Sequence, residues 1–86
     1  MGYFQLDIDG LKFEMFTVPG SSRIKVKAPS RQLFYFDPDT VSYLDPNGGD
    51  FYPRLDGLEL RTLTDRLISY SELRRENIKK SNLRHN

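Results

Sequence analysis

Phe4-Gln5-Leu6-Asp7-Ile8-Asp9-Gly10-Leu11-Lys12-Phe13-Glu14-Met15 is the stretch that decides how this chain folds. Apolar and polar residues alternate on both sides of Asp9-Gly10, which is the period of a strand with one buried face. A two-residue Asp-Gly loop supplies the positive φ angles of a type I′ turn, whose twist matches the strands it joins. Folding about it sets Ile8 opposite Leu11, Leu6 opposite Phe13 and Phe4 opposite Met15. All six apolar side chains then share one face. Asp7 meets Lys12 and Gln5 meets Glu14 on the other, so turn chemistry and binary pattern choose one register independently.

Working outward, Asp37-Pro38, Asp45-Pro46-Asn47-Gly48-Gly49 and Asp56-Gly57 punctuate further short runs of strand length. Strands are expected over residues 3–8, 11–18, 23–28, 33–37 and 41–44, with 58–63 as a sixth candidate. In the third, Ile24, Val26 and Ala28 alternate with Arg23, Lys25 and Lys27, giving an apolar face and a cationic ridge. Leu33-Phe34-Tyr35-Phe36 lacks alternation and reads as a central strand covered on both faces. Pro53 cannot donate to a ladder, so residues 51–57 read as an edge or an irregular crossing.

The last third of the chain admits two readings. One is a helix from about Thr64, with Leu60, Leu63, Leu67, Tyr70 and Ile78 in a stripe and Arg61, Arg66, Arg75 and Lys79 largely off it. The other is a hairpin pairing 58–63 with 66–70, followed by a helix opening at the capping box Ser69-Tyr70-Ser71-Glu72. Thr64-Asp65 is a poor hairpin loop, which favours the longer helix. The distal part, beyond Leu73, has few apolar residues and is expected to be available to a partner, with 84–86 fraying.

The expected fold is therefore α+β. Residues 1–60 form a small bent antiparallel sheet, or an SH3- or Tudor-like barrel, of about four to six strands, and 61–83 form one C-terminal helix. With 86 residues the chain is a single domain, able to bury only about 60% of its unfolded surface. Leu, Ile, Val and Phe make up 24 residues, enough to expect a core. There is no cysteine, hence no disulfide and no thiolate chemistry; small secreted chains are more often stapled, so a cytoplasmic location is expected. No leader-like segment and no apolar run of membrane-spanning length is present, so no membrane association is expected.

Net charge is +1, too small to name a partner, but it is unevenly distributed: +2 over 1–36, −4 over 37–58 and +3 over 59–86. Catalytic groupings are sparse. The sole histidine, His85, is second from the end, a poor platform for chemistry that needs positioned groups. Asp37-Pro38-Asp39 reads as a turn opener. The segment from Asp45 lacks the sixth-position glycine and the bidentate glutamate of a calcium loop. No phosphate-binding glycine loop occurs.

These features point to a non-enzymatic module that needs no cofactor or metal and binds another protein, in the manner of an adaptor, assembly factor or inhibitor. Tyr35, Tyr43, Phe51, Tyr52 and Arg54 would form its surface, and Arg74, Arg75 and Ile78 would contribute from the helix. The same aromatics are equally suited to filling the core of so short a chain. The alternative is binding of single-stranded nucleic acid, with Arg23, Lys25, Lys27 and Arg31 on phosphates and tyrosines stacking on bases. The basic helix, with Arg74, Arg75, Lys79, Lys80 and Arg84, would extend that surface.

Overall fold

Asp9 and Gly10 take φ values of 51° and 82°, and they join β1 (Tyr3–Ile8) to β2 (Leu11–Thr17) in the register that the alternation predicts. The computed structural model describes the backbone from Gly2 to Arg84 and the side chains from Gly2 to Arg75. β3 (Ile24–Lys27), β4 (Leu33–Asp37) and β5 (Ser42–Leu44) follow, each antiparallel to the strand before it. Order in the sheet is order in the chain. The sheet is bent but stays open: among the described residues β1 and β5 do not pair, so no barrel closes.

One long helix, α1 (Gly57–Arg84), follows the sheet. Leu63 and Leu67, fully buried, press onto the inner face of the sheet, where Ile8, Phe13, Met15, Ile24, Val26, Ala28, Phe34 and Phe36 are also buried. Full burial of a leucine side chain contributes about 2 kcal/mol, so these two leucines are the main fasteners of helix to sheet. Further along, Tyr70 packs on Phe4 with ring centroids 4.2 Å apart. The Tyr70 hydroxyl passes so close to Gly2 that a Cβ there would lie 2.8 Å away.

Three expectations are corrected. First, the helix begins at Gly57 rather than near Thr64, and neither a strand over 58–63 nor its hairpin with 66–70 exists. Asp56 and Glu59 form a reciprocal capping box: the Glu59 N–H donates to Asp56 Oδ1 at 2.8 Å and the Asp56 N–H to Glu59 Oε1 at 3.2 Å. Two orphan amides are thereby satisfied. Secondly, Ser69 and Glu72 lie inside the helix, and Ser71 turns its hydroxyl onto the Leu67 carbonyl at 2.9 Å. Thirdly, the central strand is β3, not β4. β4 alternates strictly, with Phe34 and Phe36 buried and Leu33 38% exposed.

Residues 51–56 form an irregular crossing, as proline within them dictates. It is tied down by Phe51 N–H donating to the Tyr43 carbonyl at 3.0 Å and by Arg54 N–H donating to Gln32 Oε1 at 2.8 Å. Asp45 organises the preceding turn, its Oδ1 accepting from the amides of Asn47 and Gly49. Among the described residues no helix is long and apolar enough to cross a membrane.

Candidate functional site

The four strand registers share one consequence. Tyr3 is opposite Phe16, Phe16 opposite Lys25, Lys25 opposite Tyr35, and Tyr35 opposite Leu44. These five residues form a continuous row across every strand, on the face turned away from α1. Side chains alternate between faces along each strand, and the neighbouring residues Met15, Val26, Phe34 and Phe36 are the ones buried beneath the helix. Tyr3 is 53% exposed and its ring meets Phe16 at a centroid distance of 5.0 Å. Phe16, Lys25, Tyr35 and Leu44 are half-buried. A hollow of about 190 Å³ opens beside Tyr35, walled by Val18, Arg23, Pro46 and Gly48.

Charge on this outer face is largely balanced strand by strand. Lys12 sits opposite Asp7 and Lys27 opposite Glu14, while Arg23 Nε lies 3.6 Å from Asp37 Oδ2. Lys25 differs: its cross-strand neighbours are both aromatic. Exposed pairs of this kind add little stability, but they leave one base uncompensated in the middle of an apolar row.

The residues expected from sequence divide among three places. Tyr35 belongs to the outer row. Tyr43 and Phe51 lie on the inner side and serve the core, Phe51 stacking on Phe34 at 4.9 Å and Tyr43 packing against Phe34 and Phe36. The Tyr43 hydroxyl lies 2.7 Å from Thr64 Oγ1. Thr64 Oγ1 also reaches the Leu60 carbonyl at 2.8 Å, and its contact with Tyr43 pins β5 to the helix. Burial raises the Tyr43 phenol above its ordinary value, the hydrogen bond to Thr64 acting in the opposite sense. Tyr52, 82% exposed, borders a hollow of about 370 Å³ with Tyr43, Phe51 and Leu60, and Arg54 is exposed nearby in sequence.

Arg74 and Arg75 line a cleft against the loop after β2 and the turn after β4, where Arg75 is ion-paired with Asp39. The side chains of Ile78, Lys79, Lys80 and Arg84, and the expected fraying at residues 85–86, lie outside the described residues. Of the basic set, Lys25 and Lys27 project from the outer face and Arg23 sits at its end, whereas Arg31 occupies the exposed Pro29–Arg31 turn in a left-handed conformation (φ 59°). With α1 on the inner face, the outward lysines do not share one side of the sheet with Arg74 and Arg75, the bases of the distal helix that are described. Sequence reasoning missed Tyr3, Phe16 and Leu44. The hairpin register, carried one pair beyond Phe4, already sets Tyr3 against Phe16.

Among the described residues no group of three or more His, Asp or Glu side chains converges as a metal site would require. Compared with known proteins, the chain matches no family model, no curated protein and no solved structure.

Proposed function

We propose that this protein is a non-enzymatic protein-binding module whose docking surface is the outer face of the sheet. The observation that carries this reading is the row Tyr3, Phe16, Lys25, Tyr35 and Leu44, in which aromatic and apolar groups flank a single base that no acid opposes. Rigid aromatics with a polar rim are the usual anchors of a protein interface. The partner it fits presents apolar side chains on either side of a carboxylate, the carboxylate meeting Lys25. A phosphate backbone would need a run of like charge, and Lys12, Lys27 and Arg23 are each matched to an acid. The cysteine-free composition favours the cytoplasm as its compartment.

The test is capture from native lysate by the wild-type protein and by a Lys25→Glu/Tyr35→Ala double variant, each with and without nuclease. A protein retained by wild type whatever the nuclease treatment, and lost by the variant, supports the reading. Loss of all captured material on nuclease treatment replaces it with nucleic-acid binding. Equal capture by the variant removes the outer row from the interface.

A further inference from the structure

A cleft of about 400 Å³ lies between the loop after β2, the turn after β4 and the middle of α1, lined by Gly20, Ser21, Ser22, Pro38, Ser71, Arg74 and Arg75. We infer that this cleft is a binding site for a phosphate monoester dianion, held by Arg74, Arg75, Ser21 and Ser22, with the Asp39 carboxylate occupying part of it when no ligand is present. At the rim of the cleft an oxyanion is already held: one Asp39 oxygen accepts from Arg75 Nη2 and the other from Ser22 Oγ at 3.2 Å, with Arg75 and Asp39 both more than half exposed. A guanidinium and a hydroxyl drawn from distant parts of the chain thus converge on one carboxylate.

Two further donors are unspent. Arg74 lines the same cleft, half-buried, and among the described residues no carboxylate lies within ion-pair distance of it. Ser21 Oγ accepts the Arg23 N–H at 3.1 Å, which uses a lone pair and leaves its proton to donate. Ser71 is excluded as a donor because its proton goes to the Leu67 carbonyl. Among the described residues two cations, Arg74 and Arg75, face one acid at this site, Arg23 being paired with Asp37, a charge that a monoanionic carboxylate does not neutralise. A phosphate has twice that charge and three acceptor oxygens, which suits bidentate guanidinium contacts better than a carboxylate does. It would displace Asp39 from Arg75 and Ser22 while engaging Arg74 and Ser21. Ser21 also borders the hollow beside Tyr35, but none of the row Tyr3, Phe16, Lys25, Tyr35 and Leu44 lines this cleft, so Arg74→Gln tests it without touching that row.

The experiment is a titration of the full chain with inorganic phosphate, followed by amide chemical shifts, against chloride at matched ionic strength. Saturable shifts at Ser21, Ser22, Arg74 and Arg75 are expected with phosphate and not with chloride. Arg74→Gln weakens binding by about tenfold or more, and Asp39→Asn tightens it by removing the internal competitor. Phosphoserine within a short peptide and a nucleoside monophosphate then separate a modified protein from a small metabolite as the source. Melting temperatures of both variants accompany the titration. Equal responses to phosphate and chloride overturn the proposal. So does an Asp39→Asn variant that melts lower without binding phosphate more tightly, because Asp39 is then only a strut for the helix.

Discussion

β4 carries both faces of the sheet within four consecutive large residues. Phe34 and Phe36 are fully buried under α1, whereas Leu33 is 38% exposed and Tyr35 half-buried on the other side. Size and hydropathy do not separate these residues; what covers each face does. The inner face owes its stability to the helix, and the outer face is left to recognise something else. The two faces should therefore respond to substitution in opposite ways, one in folding and the other in binding.

The most severe break in this contrast comes from Leu67→Asp. It places an unpaired carboxylate where Leu67 is fully buried, and the cost of burying such a charge exceeds the stability of a small domain. Circular dichroism should show no cooperative thermal transition. Next, Phe34→Ala should cost about 3 to 5 kcal/mol, while Tyr35→Ala, one residue away, should cost about 1 kcal/mol or less. Denaturant unfolding of the pair measures the contrast directly, and equal losses would abolish it.

Tyr43→Phe should cost about 1 kcal/mol by removing the hydrogen bond to Thr64. The raised phenol means that the folded state holds this proton more tightly than the unfolded chain. Its contribution is complete below about pH 10 and is lost as pH climbs through the raised value of the folded state. Melting curves taken from pH 8 upward should show the wild type losing its advantage over Tyr43→Phe only at the alkaline end. The smallest effect belongs to the outer face. Changing Arg23, Lys25 and Lys27 together to Gln should alter stability by less than about 1 kcal/mol, and a larger drop would mean that the outer charges support the fold.

Much of the architecture is legible in the sequence for a physical reason: in the first hairpin, turn type and alternation are independent signals that agree. The helix start is not, because Asp-Gly has two uses. At Asp9-Gly10 both residues have positive φ and the chain reverses. At Asp56-Gly57 the glycine is not among the positive-φ residues, and the aspartate caps a helix through Glu59. The glutamate three residues on was the available signal. β4 was misplaced as the central strand because an unbroken run of large residues imitates burial on both faces. The outer row was hidden for a different reason: it exists only when four ladder registers are combined, and a run-by-run reading yields one register at a time. Tyr43 and Phe51 could not be assigned to core or surface without knowing that α1 starts early enough to bring Thr64 over β5.

The meander has a bearing on how the protein is made. Because every strand pairs with the one synthesised just before it, the sheet closes few long loops and can grow in step with the ribosome, a topology that favours rapid folding. The helix is translated after the sheet, yet its Leu63 and Leu67 are what press most deeply onto the apolar face. Until residues 57–71 have emerged, a nascent sheet displays Phe13, Met15, Val26, Phe34 and Phe36 to its surroundings. Slow translation or a premature stop within that segment would leave a sticky, half-finished sheet, the kind of species that chaperones and proteases intercept. Codon choice over the start of α1 is thus a place where yield of the folded protein can be gained or lost without changing a single amino acid.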